Sequence, residues 1–491
     1  MSQKLGILAL VGLAGCAQIV GADSSPIILP PTCTGTIYVR IASDFSGKAT
    51  DIAIPHFFGI YDHLRYINEH GGIKGCNIDI ATADNNYTGP GTQTVVDNWH
   101  ASDANWSKVS TVFVFGTGPT QTVAPGLQAE QKVIIPGSYS GSLSSPAPID
   151  KTINYPVVND QFQEGQQATE KKSPGYPYIF FPATDYATAI RLAIQSAWQI
   201  VPGRMAMAHE TVDKCVYCED PLVAGKSYLK NLQGMELGRD LIIAQTSNVA
   251  DAPSIDTAVQ AYFKSEVDQV IANPTTYHPV IWVWSGNSVV ATSLLGQSLW
   301  KVQQGIDANT NIPLDVRNKW KIRVLANNWG IGETTPTICG PSCNNDNFYG
   351  LFPVPKYGDI ENSSAMNEII SHHDAYAQVD AVAVPPIPAR TLNAYRDVRY
   401  VQGYAAALMW EKGMTAAVLA GHRNPTGNDL KEALEKFNNV DMSGVTSAPI
   451  SFSPTDHRPQ SGESIYKLDI NGQLAFVNRF NIPLVADWLG W

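Results

Sequence analysis

Short runs of β-branched residues alternate with stretches of helical periodicity from residue 37 onward, and this alternation constrains the fold more than any other feature. The first part of the pattern predicts strands at residues 37–42, 78–83, 111–115 and 133–136, with helical stretches between them. Strands that alternate with helices form parallel sheets with helices on both faces. A second series of alternating helices and strands begins at residues 186–199. The sequence therefore predicts an α/β fold with two lobes.

The composition is that of a large folded protein. Of the 491 residues, 44% are hydrophobic and 16% are charged, against about 25% charged residues in an average globular chain. The net charge is −11, and the sequence contains no basic run. Because nucleic-acid binding needs clustered Lys and Arg residues, we expect no nucleic-acid partner. The length exceeds what two lobes need, which predicts insertions around residues 151–177 and 333–349.

The N-terminal segment has the features of an export signal. Residues 5–15 form an apolar run that is shorter than the roughly 20 residues of a membrane-spanning helix but fits a secretory signal. The Leu-Ala-Gly-Cys sequence that ends at Cys16 resembles a bacterial lipobox, in which the cysteine is acylated. We expect residues 1–15 to be a lipoprotein signal peptide, Cys16 to carry the lipid, and residues 16–33 to form a tether. An ordinary signal peptide that contains a cysteine is the alternative.

Six cysteines follow Cys16, and an even number in an exported chain indicates disulfide bonds. The pairs that we favour are Cys33–Cys76, Cys215–Cys218 and Cys339–Cys343. One alternative is a four-thiolate zinc site built from the last four of these cysteines. Another is a thioredoxin-type redox motif at residues 215–218, which would have to open a helix, and the Glu-Asp-Pro sequence that follows argues against it. We expect no metal ion and no cofactor.

Four stretches of the sequence together point to a known family. The first predicted strand runs into a Ser/Gly loop at residues 42–47, and the helix after it ends in Ile-Asn-Glu-His-Gly-Gly-Ile-Lys-Gly at 67–75. The second strand runs into Asp-Asn-Asn at 84–86, and the third ends in a glycine-rich loop at 116–120. With these features, residues 34–480 resemble the type I periplasmic solute-binding proteins of ABC transporters, the leucine-binding-protein-like family that binds branched-chain amino acids and amides.

The resemblance implies two Rossmann-like lobes with parallel sheets, joined by three hinge crossovers, with the ligand in the cleft between the lobes. The implied N-terminal lobe consists of residues 34–180 and 357–447, and the implied C-terminal lobe consists of residues 181–356 and 448–491. The crossovers are expected near residues 178–184, 350–357 and 446–450. Ligands of open α/β sheets bind beyond the carboxyl ends of the strands, so the loops that follow the strands are the candidate binding segments.

The candidate ligand-binding residues lie in those loops. In the family, the loops after the third and fourth strands hold the ligand's carboxylate, which implies this role for Thr120, Ser138 and Tyr139. The other candidates are Ser46, Gly118, Tyr186, Tyr217, Trp284, Asn287 and Trp329.

The nature of the ligand is constrained by one departure from the family. Amino-acid-binding members of the family pair the ligand's ammonium group with an acidic side chain near the position of Trp329. This chain has Asn-Asn-Trp-Gly there, at residues 327–330. An unpaired buried ammonium group is costly. The candidate ligands are therefore an amino-acid-like molecule, an amide, or an aromatic or apolar carboxylate, and the aromatic candidate residues favour the last two classes.

The resemblance implies a non-enzymatic role. The chain would capture a small ligand on the periplasmic or cell-surface face of a bacterial membrane and deliver it to an ABC permease in that membrane. We expect a monomer whose only link to the membrane is the lipid on Cys16. A ligand-sensing receptor module of the same fold is one alternative. An α/β hydrolase is another, although the segment at residues 137–141 has Tyr139 where a nucleophile elbow has serine.

Overall fold

The computed structural model describes residues 32–159, 162–211 and 214–491. The predicted signal peptide, Cys16 and all but the end of the predicted tether lie outside the described residues. The described chain forms two lobes, each built on one large β-sheet with helices around it. This arrangement confirms the predicted α/β fold with two Rossmann-like lobes.

The first lobe is built on a four-stranded sheet. Its strands are β1 (Thr36–Ser43), β2 (Asn77–Asp84), β3 (Val109–Phe115) and β4 (Val133–Gly137), and the helices between them are α1 (Thr50–Glu69), α2 (Gly89–Ser102) and α3 (Thr117–Ala129). The strands are all parallel and lie in the order β2-β1-β3-β4. Every residue of the central strand β3 is buried, because helices cover both faces of the sheet.

A hairpin follows the first sheet and belongs to neither large sheet. Its strands are β5 (Ile149–Val158) and β6 (Glu164–Ser173), which pair in antiparallel register. The hairpin lies in the first of the two segments where the sequence predicts an insertion. Most of its side chains are exposed or half-buried, but Lys171 is buried.

The second lobe begins with an alternating series of helices and strands. These elements are α4 (Tyr186–Ile200), β7 (Arg204–His209), α5 (Glu219–Leu229), β8 (Glu236–Leu237), β9 (Leu241–Ile242), α6 (Ala252–Ala272), β10 (Val280–Ser285), α7 (Val289–Ala308), α8 (Leu314–Lys319), β11 (Arg323–Ala326), α9 (Thr335–Cys339) and β12 (Phe348–Phe352). Strands β7, β10, β11 and β12 are parallel to one another.

The last part of the chain contributes to both lobes. It contains α10 (Met366–Val379), α11 (Val398–Leu419), α12 (Gly427–Leu434), β13 (Gly462–Leu468) and β14 (Leu474–Asn481). The strands complete the second sheet in the order β14-β13-β12-β11-β10-β7-β8, with β13 and β14 antiparallel to their neighbours and β9 paired with β7.

Helix α11 returns to the first lobe and packs tightly on α1. A Cβ atom on Gly59 would lie 2.0 Å from the Tyr400 carbonyl oxygen, and one on Gly403 would lie 1.9 Å from the His56 carbonyl oxygen. Only glycine permits this approach of the two backbones. Neither α11 nor any other helix of the described residues is long and apolar enough to cross a bilayer.

Three crossovers connect the lobes and lie side by side. The side-chain amide of Gln460, in the segment that leads into β13, donates hydrogen bonds to the carbonyl oxygens of Pro182 (3.2 Å) and Pro353 (3.3 Å), which lie in the first two predicted crossovers. The Thr184 hydroxyl donates to the Gly462 carbonyl oxygen at 3.0 Å. These bonds tie the three segments into one narrow connection between the lobes.

The three favoured disulfide bonds are all present. They join Cys33 to Cys76, Cys215 to Cys218 and Cys339 to Cys343. This pairing excludes the four-thiolate zinc site, because all four of its ligands are consumed. The sequence argument against a helix after residues 215–218 is wrong, since α5 begins directly after Cys218. Both cysteines of this pair are fully buried, whereas reactive redox cysteines are accessible.

Candidate functional site between the lobes

The carboxyl ends of the parallel strands of both sheets meet at one small cavity between the lobes. Its lining residues are Ile52, Tyr87, Phe115, Gly116, Thr117, Gly137, Ser138, Tyr186, Tyr217, Gln245, Gly286, Asn287, Ser288, Asn327 and Trp329. The cavity volume is about 20 Å³, which is room for about one water molecule. The two lobes are therefore closed on each other, and side chains fill most of the gap.

The first lobe contributes backbone and hydroxyl groups to the cavity. The hydroxyls of Thr117 and Ser138 are in close hydrogen-bonding contact, and both side chains are buried. Gly116 precedes α3 with a φ of 104°, and a Cβ atom there would lie 2.9 Å from a ring carbon of Tyr87. Glycine at this position lets the N-terminus of α3 and the Tyr87 ring both reach the cavity.

The second lobe contributes hydrogen-bonded aromatic side chains. The Trp329 indole N–H donates to the Tyr186 hydroxyl at 2.7 Å, and burial raises the pKa of Tyr186 to about 12. The Tyr217 hydroxyl lies 3.4 Å from Glu210 Oε2 and 3.4 Å from Gln245 Oε1. Burial also raises the pKa of Tyr217 well above its usual range, so both phenols are neutral hydrogen-bonding groups.

Tyr139 closes the gap from the first lobe. Its ring stacks on Trp329 with centroids 5.4 Å apart and an interplanar angle of 26°. The Tyr139 side chain is fully buried, and its hydroxyl has no hydrogen-bond partner among the described residues. The backbone also joins the lobes here, since the Tyr186 N–H donates to the Tyr139 carbonyl oxygen at 2.7 Å.

Asn287 lines the cavity with a side-chain amide whose oxygen accepts no hydrogen bond from the described residues. It is fully buried, and its Nδ2 donates to the Ala208 carbonyl oxygen at 3.3 Å. Its Oδ1 has no hydrogen-bond partner among the described residues. A buried acceptor without a donor is costly, so this atom marks a position where a bound molecule gains a hydrogen bond.

Charged groups lie around the cavity rather than in its wall. Lys48 Nζ lies 3.2 Å from Glu210 Oε2 in an ion pair between the lobes. Asp51 Oδ2, on α1, accepts the N–H of Val290 in the first turn of α7 at 3.3 Å. Burial raises the pKa of Asp51 to about 6. Both contacts join the lobes and are made only when the lobes are closed.

A further set of interlobe bonds converges on Asp220 of α5. Its Oδ2 accepts the Ser140 hydroxyl at 2.5 Å and the Ser142 N–H at 2.8 Å. Its Oδ1 contacts the ammonium group of Lys171 on the β5–β6 hairpin. The hairpin, the loop after β4 and α5 therefore share one buried carboxylate at the side of the cleft.

The structure brings five of the ten predicted ligand-binding residues to the cavity: Ser138, Tyr186, Tyr217, Asn287 and Trp329. The others lie nearby. The Thr120 hydroxyl donates to the Gly116 carbonyl oxygen at 2.7 Å, within α3. The Ser46 hydroxyl donates to Asp84 Oδ2 at 2.5 Å.

Three more predicted residues stand outside the cavity wall. Gly118 faces Val216 of the other lobe, Tyr139 stacks behind Trp329, and Trp284 lines a separate small void inside the second lobe. Whether any of the ten contacts a ligand stays a prediction.

Sequence reasoning missed several polar residues of the cavity: Tyr87, Thr117, Gln245, Ser288 and Asn327. The position of strand ends was the available signal, because Tyr87 and Gln245 each follow a strand by three residues. Among the described residues, no three His, Cys, Asp or Glu side chains are grouped so as to hold a metal ion.

Neither a protein-family model nor a curated protein matches the sequence. Solved structures match over most of its length. A substrate-binding protein of an ABC transporter from Aeropyrum pernix has a TM-score of 0.69 and 21% identity, covering 93% of this chain and 98% of that one. A branched-chain amino acid ABC transporter protein from Thermus thermophilus with bound valine has a TM-score of 0.65 and 14% identity, with coverages of 92% and 97%. A solute-binding protein from R. palustris in complex with benzoate has a TM-score of 0.60 and 13% identity, with coverages of 91% and 96%.

The class that these likenesses and the two-lobed architecture define is the type I periplasmic binding protein, and this chain has that fold. The structures from Aeropyrum pernix and R. palustris are a substrate-binding protein and a solute-binding protein of ABC transporters. The resemblance predicted from the sequence is therefore confirmed at the level of the fold.

Proposed function

We propose that this protein is an extracytoplasmic, lipid-anchored solute-binding protein that captures a small ligand between its lobes and delivers it to an ABC importer. The observation that carries the proposal is the cavity between the lobes, which Tyr87 and Ser138 line from one side and Tyr217, Asn287 and Trp329 from the other. A ligand held there contacts both lobes at once. The substrate-binding proteins that share the fold support the same role.

Ligand binding would be coupled to lobe closure. A ligand shifts an open–closed equilibrium only through its different affinity for the two states. A shift from about 1% to 99% closed needs a difference of roughly 5.5 kcal/mol. Contacts from both lobes exist only in the closed state, so the cavity residues are the groups that supply this difference.

The crossovers are the proposed hinges. Gln460 ties the backbones of Pro182 and Pro353 together, which keeps the three segments aligned while the lobes rotate. The proposed lobe boundaries are those predicted from the sequence, near residues 180, 357 and 447. The three disulfide bonds support export, because such bonds persist in oxidising compartments.

A thermal-shift screen of the purified protein tests the binding role. The panel contains amino acids, aromatic acids, amides and short peptides, and we expect at least one of them to raise the melting temperature. X-ray scattering should show a smaller radius of gyration with that compound, because the lobes close on it.

A variant in which the lobes cannot close distinguishes compounds that bind in the cleft from compounds that bind outside it. A Cβ atom added to Gly118 of α3 would lie 3.4 Å from the Val216 side chain on the other side of the cleft. The larger side chain of Gly118→Trp should therefore keep the lobes apart. A hit that stabilises this variant as strongly as the natural protein binds outside the cleft, and that result would contradict the proposal.

A further inference from the structure

We propose that an exposed apolar loop, at the end of the first lobe that points away from the cleft, inserts into the surface of a lipid bilayer. The loop consists of residues 381–389, Ala-Val-Ala-Val-Pro-Pro-Ile-Pro-Ala, between α10 and α11. This inference rests on the proposed lipid anchor and adds a second contact with the membrane. The sequence alone predicts the lipid on Cys16 as the only such contact.

The loop exposes apolar side chains that the core of the lobe does not cover. Val382 and Val384 are 77% and 67% exposed, and Val379 at the end of α10 is 72% exposed. The loop contains no polar or charged side chain. Single exposed hydrophobic residues are common on soluble proteins, but a contiguous apolar patch marks a surface that contacts another molecule or a membrane.

The base of the loop is fixed by ionic and backbone hydrogen bonds. Asp380 accepts two hydrogen bonds from the Arg65 guanidinium of α1, at 2.9 and 2.8 Å, and one from the Arg390 guanidinium at 2.8 Å. The Arg390 N–H donates to the Asp380 carbonyl oxygen at 3.0 Å, and Ile387 packs against the core. The exposed valines are therefore presented on a fixed loop, and turning them inward would break these bonds.

The backbone at the tip of the loop suits an apolar environment. Peptide groups that enter lipid must find their hydrogen bonds within the protein, because lipid chains offer none. Val384 and Ile387 donate their N–H groups to each other's carbonyl oxygens, at 3.1 and 2.8 Å. The two residues between them are prolines, which have no N–H group. Residues 384–387 therefore bring no unpaired N–H group into the bilayer.

The side chains of the loop favour lipid over a protein partner. Protein interfaces are enriched in aromatic residues, Met and Arg, and Trp, Tyr and Arg supply much of their binding energy. The loop contains none of these residues. Its charged neighbours, Asp380 and Arg390, are paired with each other at its base. Because the net charge of the chain is −11, anionic lipids would repel it, so we expect a zwitterionic lipid surface.

The loop lies at the end of the first lobe that is remote from the cleft. Helix α1 has 20 residues and is about 30 Å long. Its first turn, at Asp51, contacts the second lobe, whereas Arg65 in its last part holds the base of the loop. The Tyr376 hydroxyl of α10 also donates to Glu69, the last residue of α1, at 2.8 Å. Insertion of the loop would therefore leave the cleft free.

The described chain enters the first lobe at this same end. Cys33 is joined by a disulfide bond to Cys76, which follows α1, and its N–H donates to the Lys74 carbonyl oxygen at 2.9 Å. The chain from Cys16 to Cys33 can span at most roughly 60 Å, so a lipid on Cys16 keeps this end of the lobe near the bilayer. Loop insertion would turn the cleft towards the solution, and delivery to a permease would require the body to turn on its tether.

Nitroxide labelling of the full-length, lipid-anchored protein in phosphatidylcholine vesicles tests the inference. The label is attached to Val384→Cys or to Ile470→Cys, a matched control in the turn between β13 and β14 that is 70% exposed. Electron paramagnetic resonance compares the access of oxygen, which enters lipid, with that of a water-soluble nickel chelate. We expect the ratio of oxygen access to nickel access to be at least about threefold higher at position 384. High salt should not change it, because the contact is apolar.

A charge placed in the loop gives a second readout. Val382→Asp, with the label on position 384, should lower the ratio to that of position 470, because a carboxylate is costly to remove from water. Val477→Asp, at an exposed valine of β14, should leave the ratio at position 384 unchanged. Both valines are exposed, so we expect neither substitution to prevent folding.

Three results would overturn the inference. If the protein floats with the vesicles in a density gradient but both labels give the same ratio, the loop does not enter lipid, while the lipid anchor stands. If the label at position 384 shows dipolar broadening from a second label, the loop contacts another copy of this chain instead. If the protein does not float with the vesicles, the anchor is wrong and the inference with it, whereas the thermal-shift screen tests solute binding independently.

Discussion

The indole ring of Trp329 lies on the phenol ring of Tyr139 across the gap between the lobes, with centroids 5.4 Å apart. The two residues come from different sheets, so the stack exists only when the lobes are closed. Trp329 also donates its N–H to Tyr186, which fixes the ring at the cavity wall. Aromatic contact between the lobes therefore stabilises the closed form of this protein.

Removal of the Trp329 hydrogen bond should weaken binding. In Trp329→Phe, the Tyr186 hydroxyl loses its donor in a buried position, and we expect a loss of about 1 kcal/mol, or roughly fivefold in ligand affinity. Calorimetry with the best ligand of the screen measures it. Trp198→Phe is the matched control, because it removes the hydrogen bond that the Trp198 indole N–H donates to the Gln233 carbonyl oxygen, far from the cleft. Equal effects of the two variants would contradict a role of Trp329 in closure.

A bulky side chain at Gly118 should hinder closure without unfolding the first lobe. In Gly118→Trp, the new side chain meets Val216 of the other lobe, whereas in Gly126→Trp, on the same helix, an added Cβ atom has no neighbour within 4 Å. We expect at least a tenfold loss of ligand affinity in the first variant and none in the second. X-ray scattering with ligand should show an open form only for Gly118→Trp, and a closed form would argue against this contact.

The carboxylate of Asp220 should act as a latch between the lobes. Asp220→Asn leaves Lys171 without its closest counter-ion, although Glu219 stays 3.2 Å away. We expect a loss of about 3 kcal/mol in the free energy of unfolding, at the lower end for a broken buried ion pair, together with weaker ligand binding. Urea denaturation measures the stability.

The control for this latch is an exposed ion pair. Asp268→Asn removes the partner of Lys264 in a pair that solvent covers on both sides, and its effect should stay within about 0.5 kcal/mol. A loss for Asp220→Asn as small as the loss for Asp268→Asn would show that the latch contributes little.

Glu333 should make stability depend on pH. Its carboxylate accepts the N–H groups of Tyr357 and Val398, and burial together with the charge of Asp397 raises its pKa from 4.5 to about 8. Between these two values the folded protein keeps a proton that the unfolded chain has released. The contribution of Glu333 to the free energy of unfolding therefore falls as the pH rises from about 4.5 to 8.

The measurement compares the natural protein with Glu333→Gln by urea denaturation at several pH values. The stability of the variant relative to the natural protein should increase from pH 5 to pH 8. A difference that is constant with pH would mean that Glu333 titrates at its ordinary pKa.

Membrane attachment should depend on one residue outside the described part of the chain. Cys16→Ser removes the predicted lipid acceptor, so the protein should move from the membrane fraction to the soluble fraction after cell disruption. Two acyl chains anchor a protein stably, whereas the described residues contain no helix that could replace them. A Cys16→Ser protein that stays in the membrane fraction would rule out lipidation at this residue.

The sequence by itself determined the order of the elements and the local covalent links. Strands β1 to β4 lie where runs of β-branched residues predict them, because the alternation of strands and helices shows in the pattern of neighbouring residues. The sequence favoured the three disulfide pairs without excluding a zinc site, and the structure confirms them. The glycine-rich stretches predicted which loops face the cleft.

The tertiary structure alone decided which side chains of those loops reach the cavity. Helix α3 begins at Thr117, so Thr117 faces Ser138 while Thr120, one turn later, bonds to the Gly116 carbonyl. Trp329 and Tyr186 are 143 residues apart, yet they share a hydrogen bond at the wall of the cavity. Such contacts depend on how segments that are distant in the sequence pack beside one another within a lobe, and a pattern of neighbouring residues does not specify that packing.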